Sequence, residues 1–257
     1  MEAHRARKRF GQNFLVDGNI IRKIVAAIDP KPGQVMVEIG PGLGAMTRPV
    51  CERIDRLHVI EIDRDLAQRL REGELASQLD IHEHDALKFD FSVLGDDVRV
   101  IGNLPYNISS PLLFHLADHA ERVSDMTFML QKEVVDRIVA APDTEQYGRL
   151  SVMLQYRFEC SHLFDVPPGA FRPMPKVMSA IVHLRPRPAA QLDAKDALLL
   201  SDIVKAAFGQ RRKTLRNTLR EWLSLADWAL LGIDATRRGE TLSLADYVRI
   251  ANFCADR

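Results

Sequence analysis

The stretch I-G-N-L-P-Y-N-I-S-S-P, positions 101–111, holds groups suited to chemistry on an aromatic amine. An amine attached to a purine ring is a poor nucleophile, because its lone pair is delocalised into the ring. Two acceptors placed on its hydrogens, the Asn103 side-chain oxygen and the Leu104 carbonyl, would favour a pyramidal nitrogen with its lone pair free to attack an electrophilic methyl group in line. Pro105 makes the turn rigid, so the acceptors are positioned before a substrate arrives. Tyr106 offers a ring on which an extruded base can stack. The same residues could also serve only as a turn leading into a capped helix.

A second constellation lies upstream. V-E-I-G-P-G-L-G-A, positions 37–45, follows an apolar run and precedes a helical pattern. Gly40, Gly42 and Gly44 allow a tight turn and close backbone approach to a ligand, and the helix behind them would offer free N–H groups. Glu61 ends the next apolar run, where a carboxylate can accept from both hydroxyls of a ribose. Asp85 follows a third such run and could accept from an adenine amine. Together these residues make a site for an adenosine-bearing cofactor. Gly40, Gly42 and Ala45 also satisfy G-x-G-x-x-[GA], so the turn alone leaves open a nicotinamide dinucleotide or S-adenosyl-L-methionine.

These residues need a scaffold, and the hydrophobic pattern supplies one. Short apolar runs at 34–39, 57–62, 80–84, 98–102 and 126–130 read as strands. Helical periodicity over 18–29, 44–53, 64–71, 109–119 and 132–140 separates them or leads into them. Strands alternating with helices predict a doubly wound α/β sheet with the site at the carboxyl ends of its strands. Asp63 and Asp65 read as caps of the helix after Glu61. Pro167, Pro168, Pro173 and Pro175 mark a rigid loop, 177–184 alternates like an edge strand, and 185–190 reads as a linker. From 195 onward the pattern is helical, with Trp222 and Trp228 as core residues. The predicted division is a first domain at 1–188 and a small all-α domain at 189–257.

Composition narrows the class further. The 257 residues are 46% hydrophobic and 27% charged, ordinary values that exclude a disordered chain. No run of about 18 apolar residues occurs, which argues against a membrane helix. Three scattered cysteines and no C-x-x-C pair argue against structural zinc and a disulfide framework. The N-terminus lacks the apolar segment of a secretion signal, so the expected location is the cytoplasm. The net charge is +0 but unevenly spread. Positions 205–220 hold six basic residues and no acid, and 172–187 hold four and none. Positions 1–23 hold six against two acids, while 51–97 hold thirteen acids against six bases. A fold that gathers the basic segments would make a phosphate-binding face.

The N-L-P-Y turn is similar to the [DNS]-P-P-[FYW] motif of amino-methylating enzymes. Taken with R-F-G-Q-N-F-L (9–15), V-E-I-G-P-G-L-G, V-I-E-I-D-R-D-L (59–66), M-L-Q-K-E-V (129–134), Y-G-R-L-S-V (147–152), V-P-P-G-A-F-R-P-M-P-K-V (166–177) and F-G-Q-R-R-K-T-L-R-N (208–217), it makes the chain resemble the ribosomal RNA adenine dimethyltransferases almost from end to end. Within them it looks most like the branch acting on 16S RNA. The resemblance implies a Rossmann-like class I methyltransferase sheet. It implies S-adenosyl-L-methionine contacts at Asn13, Leu15, Gly40, Glu61, Asp85 and Asn103, with Gln12 to Leu15 folding over the cofactor as a lid. It implies four methyl transfers to two adjacent adenosines in a hairpin loop near the 3′ end of small-subunit RNA. The substrate would be a pre-formed small ribosomal subunit, and the enzyme would also act as a late assembly checkpoint.

Loop bases that proteins splay out are stacked on aromatics, and Phe171 is a candidate second face opposite Tyr106. Arg211, Arg212, Lys213, Arg216 and Arg220, with Gln210, are candidates for RNA phosphates, contacts that position rather than select. The histidine pairs His115/His119 and His82/His84 lack a third ligand in sequence, and no metal is required by methyl transfer. A monomer is expected. Three other readings stand beside this one: a large-subunit RNA adenine methylase of the antibiotic-resistance type, an assembly factor in which binding dominates, and an NAD oxidoreductase. The last lacks an evident acid–base pair for hydride transfer.

Overall fold

The β-strand that carries the glycine turn, β2 (Met36–Ile39), is buried along its whole length. Apolar side chains on both faces of so short a run are the mark of a parallel strand covered on two sides. Its neighbours are β3 (Leu57–Glu61) on one side and β5 (Val98–Asn103) on the other, both parallel to it. The β2–β5 approach is close: a Cβ placed on Gly102 would lie 2.6 Å from the Ile39 carbonyl oxygen. The computed structural model describes residues 13–105 and 107–257, so Gln12 and Tyr106 lie outside the described residues.

The remaining members of the main sheet are β4 (Leu79–Glu83), β6 (Val123–Gln131), β7 (Phe158–Val166) and β9 (Ser179–Pro186). Among the described residues it has seven strands in the order β4-β3-β2-β5-β6-β9-β7. β4 runs parallel to β3, β6 runs parallel to β5, and β9 is antiparallel to β6. A separate ribbon pairs β1 (Phe14–Leu15) with β8 (Phe171–Arg172), with Leu15 opposite Phe171.

The helices start and stop for local reasons. α1 (Gly18–Ile28) is capped by Asp17, whose carboxylate accepts from the Asn19 and Ile20 N–H groups, and it buries Ile24, Val25 and Ile28. α2 (Thr47–Cys51) begins three residues later than the expected 44, because Gly42 and Gly44 hold φ at +58° and +80°. Those values belong to a turn rather than a helix. α3 (Arg64–Glu72) is capped by Asp63, as its position implied. α4 (Ser109–Ala117) follows the N-L-P-Y turn, and α5 (Lys132–Ile138) follows β6.

The chain divides into two units, Met1–Val135 with Ser161–Pro186, and Asp136–Cys160 with Arg187–Arg257. This corrects the predicted boundary at 188/189, because residues 136–160 join the second unit. The reason lies in α6 (Arg149–Arg157), which buries Val152, Leu154 and Tyr156. Val152 and Tyr156 sit in one core with Leu200, Ile203, Val204, Leu215, Trp228 and Tyr247. The other helices of that unit are α7 (Ala197–Gly209), α8 (Leu215–Thr218), α9 (Leu225–Leu231) and α10 (Leu244–Ala255). Capping boxes at Ser224/Asp227 and Ser243/Asp246 open the last two. β9 is a second correction. It lies between β6 and β7 rather than at an edge, and its first four residues are all buried. No helix among the described residues is long and apolar enough to cross a membrane.

Candidate active site

In the first unit the chain winds from β2 out to β4, then returns to the other side of β2 as β5 and β6. The connection reverses between β2 and β5, and a crevice opens there at the carboxyl ends of the strands, where open α/β sheets bind ligands. A cavity of about 250 Å³ occupies it. Its wall holds most of the residues singled out from the sequence: Asn13, Leu15, Gly40, Gly42, Glu61, Asp85, Asn103, Leu104 and Pro105. Gly40, Glu61, Asp85 and Asn103 meet at one crevice because each ends a strand of the main sheet or lies in the turn after it, and Asn13 and Leu15, up to ninety positions away, reach the same wall from the separate β1 ribbon.

The glycine turn and the acid at the end of β3 are joined directly. Gly42 N–H donates to Glu61 Oε2 at 3.2 Å, and Asp63 N–H donates to Glu61 Oε1 at 2.9 Å. Glu61 is 5% exposed, and burial raises its carboxyl above the usual range despite those donors. The carboxylate is thus aimed by backbone on both sides and keeps lone pairs for a ligand hydroxyl. Gly42 is required twice over: its φ is positive, and a Cβ there would lie 3.2 Å from the Phe14 ring. The helix behind the turn contributes less than expected, since it is a single short turn starting at Thr47.

Asp85 Oδ1 accepts from the Leu87 N–H at 3.0 Å, which fixes the carboxylate at the cavity wall. Asn103 Nδ2 donates to the Asn13 carbonyl at 3.1 Å. That bond spends the amide's donor side on the β1 segment and leaves Oδ1 as the acceptor turned elsewhere, the orientation an incoming amine requires. Leu104 is 1% exposed and its N–H donates to the Met129 carbonyl at 3.1 Å, so the turn is pinned to β6. The Pro105 carbonyl accepts from the Ile108 N–H and closes the turn before α4.

One residue of the wall was not anticipated. Glu38 sits within the apolar run of β2, is 1% exposed, and accepts from Thr47 Oγ1 at 2.6 Å. Burial pushes its carboxyl up to about 7, with the nearby Glu61 adding to the effect. A carboxylate inside an otherwise hydrophobic strand was the available signal, since such a group is costly there unless it serves a purpose. With Glu61 and Asp85 it gives the cavity three acids, and among the described residues no lysine or arginine lines it.

Phe171 is a correction. Its ring is 1% exposed and packs in the core with Leu15, Ile24, Met129, Val166 and Ile181, so it offers no face to a base in this arrangement. The pairing of β8 with β1 puts it there. The histidines are also accounted for by packing. His115 Nε2 lies 2.8 Å from the Phe89 carbonyl, and His82, His84, His115 and His119 make ring contacts with Phe89 or Phe91.

The five basic candidates belong to the second unit, around α8 and the turn before it. Arg211 donates to the Glu145 carbonyl at 2.7 Å. No side-chain partner is found among the described residues for Arg212, Lys213, Arg216 or Arg220. In the first unit Arg48, Arg56, Arg64, Arg71, Arg99 and Arg122 each face a carboxylate.

Comparison with known proteins agrees with this geometry. The profile of the family described as ribosomal RNA adenine dimethylase matches residues 3–256. The chain is 69% identical to ribosomal RNA small subunit methyltransferase A of Aromatoleum aromaticum, over 99% of this chain and 96% of that one. It is 57% identical to the protein of the same name from Dechloromonas aromatica, over 98% and 99%. Among solved structures, a dimethyladenosine transferase from Plasmodium falciparum superposes with a TM-score of 0.78 at 24% identity, covering 92% of this chain and 95% of that one. The 23S rRNA methyltransferase ErmE superposes at 0.73 with 25% identity, covering 95% and 100%. The fold is thus that of the class I methyltransferases, and the chain belongs to the ribosomal RNA adenine dimethylase family.

Proposed function

We propose that this protein transfers methyl groups from S-adenosyl-L-methionine to the exocyclic amines of two adjacent adenosines in the 3′-terminal hairpin loop of 16S rRNA, on the small ribosomal subunit, and takes part in its late assembly. The observation that carries the choice of cofactor is the charge of the cavity. The carboxylates of Glu61 and Asp85, with no lysine or arginine among the described residues of the wall, suit a ligand bearing an ammonium and a sulfonium, while buried Glu38 keeps its proton up to about pH 7 and adds little charge below it. They oppose the two phosphates of a nicotinamide dinucleotide, which the glycine turn alone left possible. Glu61 would hold the ribose hydroxyls and Asp85 the adenine amine. When bound, the cofactor supplies a methyl group on positively charged sulfur, ready for in-line displacement.

The chain's own residues then have defined tasks. Asn103 Oδ1 and the Leu104 carbonyl accept from the two hydrogens of the target amine, which localises its lone pair. The bond from Asn103 to Asn13 keeps the amide from turning its donor side inward. Pre-positioning of this kind is worth several orders of magnitude in rate. Tyr106 stacks on the extruded adenine. A carboxamide tolerates the mono-methylated amine, which has one N–H left to give, at less cost than an unpaired carboxylate would incur.

The choice of small over large subunit is supported by the 57–69% identical relatives named for the small subunit. Basic residues 211–220 would meet RNA phosphates. The test is transfer of labelled methyl groups to undermethylated small subunits, with large subunits and naked RNA in parallel and the nucleosides identified by mass. Dimethyladenosine from small subunits alone is expected. Product from large subunits instead would refute the substrate assignment, and absence of any product would refute catalysis.

A further inference from the structure

The second unit contains a cavity of its own, about 480 Å³ in volume. It lies where the end of α7 meets the turn before α8 and the residues after α8. Its wall includes Gln210, Lys213, Asn217, Arg220 and Trp222. The volume is within the range of small-molecule sites, but the wall is polar, which speaks against an acyl chain or an apolar peptide anchor.

Each of these residue types has a matching partner in a nucleotide. Trp222 was expected in the core, yet only part of it packs against the helical core, and the rest faces the cavity. An indole fixed along one edge presents a rigid face for stacking. Asn217 Nδ2 donates to Thr214 Oγ1 at 3.2 Å, which sets the amide and leaves Oδ1 to accept. Gln210 supplies a second carboxamide, and paired donors and acceptors are what the edge of a base requires. Lys213 and Arg220 are cations with no carboxylate partner among the described residues. Glu221 is the single acid on the wall, so the balance favours an anion.

We infer that this cavity receives one unstacked nucleotide of the substrate RNA, with its base on Trp222 and against Asn217 and Gln210, and its phosphate on Lys213 and Arg220. The inference rests on the proposed RNA substrate but concerns a site separate from the methyl-transfer cavity. It assigns this face a contact with a base, whereas phosphate contacts alone would be indifferent to whether a base is present. Stacking of one base contributes on the order of ten-fold in affinity.

The tryptophans make the test direct. Trp228 is 3% exposed and its Nε1 has no hydrogen-bond partner, so Trp228→Phe costs no hydrogen bond and leaves Trp222 as the sole indole. In that background we expect a single-stranded RNA pentamer to quench the fluorescence strongly. A fully abasic pentamer should bind about ten-fold more weakly and quench little. Equal binding and quenching by the two pentamers, or no quenching by either, would overturn the inference. Adenosine and uridine monophosphates form a third arm: binding as tight as that of the pentamer would make this a free-nucleotide site and overturn the assignment to RNA. Asn217→Ala and Trp222→Leu should raise KM for small subunits about ten-fold with kcat unchanged, with Trp222→Phe restoring most of the loss. Unchanged KM in both, with wild-type methylation intact, would also overturn it. Failure of the wild type to methylate small subunits at all would instead count against the proposed function, and the fluorescence arms would still decide the cavity.

Discussion

Glu38 offers the sharpest test of the energetics of the site. Its carboxyl is pushed from an ordinary 4.5 up to about 7, chiefly by burial in β2. Between those pH values the folded protein keeps a proton that the unfolded chain has released. Stability from this group is therefore fullest below pH 4.5 and falls as pH rises toward 7. At about 1.4 kcal/mol per pH unit, the interval from 4.5 to about 7 amounts to about 3 kcal/mol. Glu38→Gln keeps the neutral form at every pH, and the amide oxygen can still accept from Thr47. Variant and wild type should match at pH 4.5, and the variant should be more stable by about 3 kcal/mol above pH 7. Tryptophan fluorescence is the wrong reporter, because Trp222 and Trp228 both lie in the second unit. Amide exchange along β2 and β5 reads the first unit instead. A difference between the two proteins that stays constant from pH 4.5 to 8 would refute the argument.

Three further outcomes are expected. Arg99 donates to Asp125 at 3.0 Å and to the carbonyls of Ile28 and Asp29, with both charged side chains nearly buried. Arg99→Ala should cost about 3–5 kcal/mol by stranding Asp125, measured by the same exchange experiment; a loss under 1 kcal/mol would sink the claim. Gly102→Ala would drive a Cβ to 2.6 Å from the Ile39 carbonyl and should destabilise the β2–β5 pair by about 3 kcal/mol, seen as faster exchange in those strands ahead of the second unit. Asn103→Ala should abolish transfer, while Asn103→Asp should alter the ratio of mono- to dimethyladenosine read by mass spectrometry. An unchanged ratio would remove the carboxamide from the account of double methylation.

Much of the proposed methyl-transfer site was legible because its parts obey local rules. Strands β2, β3 and β5 are short, mainly apolar runs, and the turns after β2 to β5 carry glycines, acids or the N-L-P-Y residues at predictable ends. Glu61 and Asp85 could be placed on the wall from that pattern alone. Glu38 could not, because its neighbours Val37 and Ile39 read as a strand interior and conceal a carboxylate that only burial makes notable. The burial of Phe171 is not legible for another reason: whether a loop aromatic is free or buried depends on pairing with a segment far away in sequence. The stretch 149–166 escaped for the same cause. α6 finds its core partners in helices beyond residue 196, and β7 is largely exposed, so neither carries a strong periodicity of its own.

The ribbon of β1 with β8 joins residues 14–15 to 171–172, and β1 lines the cavity of the first unit. During synthesis the chain therefore makes one wall of that cavity before the strands of the main sheet but cannot anchor it until the partner strand has been made. Strands β2 to β6 can assemble earlier, from residues 36–131. The acids of the cavity wall would stand ready on the sheet while Asn103 still waits for the Asn13 carbonyl that orients it. Closing so long a loop is slow although its added entropic cost grows only logarithmically with length. Competence for the reaction thus arrives late in the life of the nascent chain, after the sheet itself is in place.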